Sequence, residues 1–165
     1  MVAKATNGEG MKQLAARLKG LGKQQLQVGW FPGMTEPNGT PTAYVAAIQE
    51  FGGSNGKGAT IPPRPTIRPT MIAQKTKWAK TVSVSAKRAL ESGDGAKIVA
   101  ETLGLVAVGD IKTAISALTS PPLAEATINR RMHRYSDKGT VGSLDKPLVD
   151  SSRMLSTLTH LVTEK

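Results

Sequence analysis

The chain has no cysteine, only two histidines, and six aromatic residues among its 165. Without cysteine there is no disulfide framework, no thiolate metal site and no Cys nucleophile. His133 and His160 lie in different segments, and neither has a partner at a spacing that serves catalysis. The carboxylates are scattered singly, with no metal-ligand spacing, and no Gly-x-Ser-x-Gly element occurs. Acidic residues are also scarce: 12 Asp and Glu stand against 22 Lys and Arg, giving a net charge of +10. No apolar run approaches the roughly 18 residues of a membrane span. The first 23 residues contain lysines but no continuous apolar stretch of a secretory signal. These absences predict a soluble, basic protein of one domain. It is expected to bind or assemble rather than catalyse, with no cofactor. With so few aromatics, its core must be built from Leu, Ile, Val, Ala and Met.

The charge is unevenly placed. Between Glu50 and Glu91 there is no acid but eight bases: Lys57, Arg64, Arg68, Lys75, Lys77, Lys80, Lys87 and Arg88. From Glu91 onward, bases and acids balance at nine each. Such a block faces a polyanion, faces an acidic protein partner, or is a solvated surface.

Periodicity outlines the elements. Met11, Leu14, Ala15, Leu18 and Leu21 recur at helical spacing, so residues 10–21 read as a helix stopped by Gly20 and Gly22. Residues 25–31 alternate, with Leu26, Val28 and Trp30 on one side, and predict a strand with one wet face. A glycine- and proline-rich turn follows, with Asn38-Gly39 at its tip. Asn38-Gly39-Thr40 matches a glycosylation acceptor, a chance match without a secretory signal. Thr42–Phe51 predicts a short helix with Tyr44, Ala47, Ile48 and Phe51 on one face, ended by Gly52-Gly53.

Residues 52–58 (GGSNGKG) have only three residues between Gly52 and the Gly-Lys pair, and Gly58 rather than Ser or Thr follows. They fail the phosphate-loop pattern and read as a flexible loop in which Asn55 and Lys57 are candidate interface residues. Residues 61–69 hold four prolines and read as a stiff extended arm, with Ile61, Arg64, Ile67 and Arg68 as candidate docking residues.

A long helix is predicted over residues 70–92. Met71, Ile72, Trp78, Val82, Ala86, Ala89 and Leu90 gather on one side, and Lys77, Lys80, Lys87 and Arg88 on the other, with Val84 among the bases. This basic face is the candidate surface for a polyanion or an acidic partner. It lacks the signatures of sequence-reading nucleic-acid modules, so any DNA contact is expected to be sequence-blind. A second long helix over residues 96–118 is apolar around most of its circumference and reads as central to the core, with Gly104 and Gly109 available for close packing. A weaker helix is expected at 124–133, an exposed flexible loop at 135–146, a turn at 147–150 and a terminal strand from Met154 to Val162. The predicted class is α+β: a small antiparallel sheet packed with two long helices and shorter ones.

One combination of segments is more specific. Val28-Gly-Trp-Phe31 precedes Tyr44-Val-Ala-Ala-Ile-Gln-Glu-Phe-Gly52. Ile61-Pro-Pro-Arg-Pro-Thr-Ile-Arg-Pro69 and the long helix follow. Later come Pro121-Pro-Leu-Ala-Glu-Ala-Thr-Ile128 and Lys146-Pro-Leu-Val-Asp-Ser-Ser-Arg-Met-Leu155. In this order, over roughly residues 26–162, they resemble the tail-completion, or neck, proteins of long-tailed bacteriophages. Two departures stand out. Thr66 and Ile67 replace an aromatic–aliphatic pair, and Ser151-Ser152 replaces Thr-Gly, where a positive φ strains serine but not glycine.

The resemblance implies a structural virion protein at the head–tail junction, assembled in the host cytoplasm as a homo-oligomeric ring of six copies. Implied neighbours are connector or head-completion proteins and tail-tube or terminator proteins, with genome DNA in the lumen and no membrane. A tail terminator or other minor tail protein, and a free-standing nonspecific DNA-binding protein, are the competing expectations.

Overall fold

The computed structural model describes residues 8–54, 58, 60–89, 95–135, 144–150 and 152–165. The protein is α+β. Helices are α1 (Gly8–Lys23), α2 (Thr42–Phe51), α3 (Ile67–Ala89), α4 (Gly95–Ala117), α5 (Glu125–Tyr135) and α6 (Arg153–Thr157). Strands are β1 (Gln24–Gly29), β2 (Gly53–Ser54), β3 (Thr60–Ile61) and β4 (Thr159–Glu164). The chain divides into two compact units, each discontinuous in sequence. Among the described residues, no helix is long and apolar enough to cross a membrane.

The first unit comprises residues 1–28, 74–108 and 159–165. Its sheet pairs β1 with β4. The Lys165 N–H donates to the Lys23 carbonyl at 2.8 Å, so the end of β4 lies beside the start of β1 and the strands run antiparallel. The predicted alternation of β1 is present: Leu26 and Val28 are half-buried, while Gln25 and Gln27 face solvent. Val99, Ala100 and Ala107 of α4 and Ala89 of α3 are buried here. Glycine permits the closest packing. A methyl group on Gly104 would collide with the ring of His160, so the bare backbone of α4 makes room for a β4 side chain. Gly109, expected to serve in the same way, has open space around it.

The second unit comprises residues 29–73 and 109–158. Its core includes Ala46, Ile111, Ile115, Leu148, Met154 and Leu158. The Trp30 indole N–H donates to the Met154 carbonyl at 2.9 Å. The ends of the predicted flexible loop are ordered: β2 and β3 pair antiparallel, Gly53 with Ile61 and Ser54 with Thr60. The bend into that hairpin demands glycine. Gly52 has φ +79°, and an added Cβ would meet the Ile61 carbonyl at 3.0 Å.

Three further expectations are corrected. The terminal strand starts at Thr159 rather than Met154, because Arg153–Thr157 forms the short helix α6. Met154 and Leu158 are both buried four residues apart, a spacing that puts them on one face of a helix and of a strand alike, so the pattern did not separate the two. The long helix begins at Ile67, so Ile67, Arg68 and Pro69 belong to its first turn and not to an extended arm. Met71 and Ile72, expected on the inner stripe of α3, are 52% and 80% exposed, whereas Thr70 is buried.

Candidate functional site: a clamped framework and a basic helix face

Glu50 ends α2 with its carboxylate turned inward, 4% exposed. One oxygen accepts the backbone N–H groups of Thr66 at 2.7 Å and Ile67 at 3.0 Å. The other accepts the Arg68 N–H at 3.0 Å and its Nε–H at 3.1 Å. The first backbone N–H groups of a helix have no partner within it and carry the positive end of its dipole. A carboxylate from another helix therefore caps α3 and fixes its rotation, which explains why Thr66 and Thr70 face inward. Burial pushes the Glu50 pKa up, but the hydrogen bonds from Arg68, Thr66 and Ile67 outweigh it and hold the carboxyl below its ordinary value.

Arg68 also donates from Nη2 to the Glu50 carbonyl at 3.1 Å, and its guanidinium lies 4.5 Å over the Phe51 ring. Arg64 turns inward too, 6% exposed. Its Nε donates to the Pro121 carbonyl at 2.9 Å and its Nη2 to the Pro122 carbonyl at 2.8 Å. Burial, with the like charge of Arg131 added, pulls the Arg64 pKa down, yet an arginine so placed stays charged. Arg131, 7% exposed, donates from Nη1 to the Lys146 carbonyl at 2.8 Å and contacts the Leu144 and Val149 carbonyls at 3.3 and 3.4 Å. Asp150 lies 3.5 Å from Arg131 Nε, accepts from Arg134 at 2.8 Å and accepts the Tyr135 hydroxyl at 2.9 Å.

The predicted docking arm is thus fastened down. Arg64 and Arg68 are engaged within the fold, while Ile61 and Ile67 are half-buried. Asn55 and Lys57 lie outside the described residues, as does most of the predicted loop at 135–146. The described end of that loop is held by Arg131. What sequence reading missed was the role of Glu50, one of several single carboxylates, and of Arg131. Both act across gaps of 13 or more residues, for which no local spacing gives a signal.

The basic face is exposed as predicted. Lys77, Lys80, Lys87 and Arg88 are all at the surface of α3, with Val84 45% exposed among them. Lys12, Lys19 and Lys23 of α1 and Lys97 of α4 are also exposed in the same unit. By sequence, that unit holds twelve bases and five acids, and the other holds ten and seven, so their net charges are +7 and +3. His160 is half-buried and lies 2.7 Å from Glu101 through Nε2. His133 is exposed on α5. Among the described residues, no cluster of three His, Asp or Glu is arranged to hold a metal ion.

No family model matches the chain, and neither the curated proteins nor the solved structures yield a significant match.

Proposed function

We propose that the chain is a structural virion protein of a tailed bacteriophage that completes the tail at the neck, acting by assembly without catalysis. The observation that carries this reading is the clamped framework of the second unit. The segments that resemble neck proteins are separated by up to about a hundred residues, yet their polar groups are engaged with one another. Glu50 holds the Arg-Pro segment, Arg64 holds Pro121 and Pro122, and the Trp30 indole donates to the Met154 carbonyl. Charged groups so engaged serve shape. What the framework presents outward is surface, apolar in one unit and basic in the other, which suits a part that docks.

Six copies around the tail axis follow from the resemblance, with connector and terminator or tube proteins as neighbours and the genome passing through. Electron microscopy of lysates lacking the protein tests this role. Full heads beside finished, unattached tails support it, tails of uncontrolled length point to a terminator, and a normal yield of joined particles contradicts both.

The exposed lysine face of the +7 unit favours one second reading, sequence-blind DNA binding by the free chain. Neutralising Lys77, Lys80, Lys87 and Arg88 would then flatten the dependence of log affinity on log salt by about 3–4 units, at roughly 0.9 per phosphate contact. If the isolated chain ignores DNA at physiological salt, that reading fails.

A further inference from the structure

The chain has four asparagines, Asn7, Asn38, Asn55 and Asn129, and the first three are each followed by glycine. An asparagine side-chain amide is an electrophile within reach of the backbone nitrogen of the next residue. Glycine, without a Cβ, leaves that nitrogen unshielded and its backbone free to turn toward the amide. Asn7 and Asn55 lie outside the described residues. Asn38 and Gly39 stand at the tip of a turn between Glu36 and Thr40, and both are exposed. Nothing lies within 4 Å of the place a Gly39 Cβ would take, so the pair can rearrange without disturbing the fold beneath it.

The turn is closed on either side of the pair. The Glu36 N–H donates to the Thr40 carbonyl at 2.8 Å, and Thr35 bridges to Pro41. Within the turn, the Thr40 N–H donates to Asn38 Oδ1 at 3.1 Å. Negative charge gathers on that oxygen when a nucleophile adds to Cγ, so a donor is already placed where the transition state needs it. One bond opposes the reaction. The Gly39 N–H donates to the Glu36 carbonyl at 2.9 Å and must give this up before its nitrogen can attack. Losing one neutral hydrogen bond in an exposed turn slows the attack by less than about tenfold. Asn129 is also exposed but lies within α5 and precedes Arg130. There the next N–H is held in the helix ladder and shielded by a side chain.

We propose that Asn38 is a site of spontaneous deamidation, a modification that converts the tip of this turn to aspartate and isoaspartate. The Gly39 nitrogen loses its proton to hydroxide and bonds to Asn38 Cγ. The side-chain amide nitrogen takes a proton from water and leaves as ammonia, which closes a succinimide ring. Water then opens the ring. Breaking the bond between the Gly39 nitrogen and Cγ gives aspartate. Breaking the bond between that nitrogen and the Asn38 main-chain carbonyl carbon gives isoaspartate, with the chain running through Cβ and Cγ. The net change exchanges ammonia for water and needs no other reactant. Either product adds a negative charge to residues 24–56, which hold no Lys or Arg and whose carboxylates are Glu36 and Glu50. Isoaspartate also lengthens the backbone between Glu36 and Thr40, the two residues that close the turn. The inference stands apart from the neck reading.

Incubating the full folded chain in warm, weakly alkaline buffer tests the site, with the peptides read by mass spectrometry. Cleavage after Phe31 and Tyr44 separates Asn38 from Asn7 and Asn55. The Asn38 peptide is expected to gain about 1 Da and to split into two products, one of which accepts a methyl group from an isoaspartyl methyltransferase. The peptide holding Asn129 should keep its mass. The rate at Asn38 should lie within about tenfold of the rate in the same chain unfolded in urea. Thr40→Pro removes the donor to Oδ1, and should slow the folded chain while leaving the urea-unfolded chain unchanged. Circular dichroism verifies that this variant folds, and the comparison of folded with unfolded wild type decides the matter without it. An Asn38 peptide that keeps its mass in the folded chain while it converts in urea overturns the proposal, as does modification of Asn129 as fast as Asn38. A folded Thr40→Pro chain that reacts as fast as the wild type overturns the part given to the Thr40 N–H.

Discussion

Glu50 is the residue on which the start of α3 depends, and its chemistry makes that dependence measurable. Glu50→Gln keeps the shape but replaces one acceptor oxygen with a donor that opposes backbone N–H groups. We expect a loss of about 2–3 kcal/mol, read from denaturant unfolding, since bonds to a charged acceptor contribute about 1.5–3 kcal/mol and buried unpaired donors are costly. The folded carboxyl has a lowered pKa, so its stabilising effect is fully present above the unfolded value, about 4.3, and is lost as pH falls through the folded value. Stability measured from pH 5 down to pH 2 should therefore fall more steeply in the wild type than in Glu50→Gln. Ser152 offers the opposite sign. It has φ +58°, where the resembling family has glycine, so Ser152→Gly should raise stability by up to about 1 kcal/mol. The expectation of a strained serine there came from the resemblance alone, since no pattern among the residues themselves marks Ser152 as left-handed. The role of Glu50 was not legible, because its partners lie 16 to 18 residues away.

The elements were largely legible, but their orientation was less so. Periodicity located α2 over Thr42–Phe51 and α4 within a residue at either end. It could not tell which face of α2 turns inward. Tyr44, Ala47, Ile48 and Phe51 form the more apolar face, yet Thr42, Ala46 and Glu50 are buried. Burial there follows the hydrogen bonds of Glu50 rather than hydrophobicity. The same cap set the rotation of α3 and left Met71 and Ile72 outside. Two glycines of α4 provide a matched test of packing. Gly104→Ala places a methyl group in the His160 ring and should cost about 1–3 kcal/mol. Gly109→Ala meets nothing and should gain about 0.5–1 kcal/mol from helix propensity. Arg64→Ala leaves the Pro121 and Pro122 carbonyls without their buried donor, and a loss of about 2–4 kcal/mol is expected in thermal or chemical melts.

At the scale of the whole molecule, the order of periodic segments anticipated the α+β class, and composition the surplus of positive charge. It did not reveal the division into two units or the concentration of that charge, +7 against +3, because each unit gathers segments distant in sequence. The polar groups inside the second unit fix its shape, and under the proposed assembly role the exposed basic face of the other unit is a surface for partners. A building block of the proposed kind must be present in the finished object. Quantitative mass spectrometry of purified infectious particles is the most direct check. The account predicts a small, fixed number of copies per particle, six for a single ring. Particles that are fully infectious and contain none of this chain would contradict it.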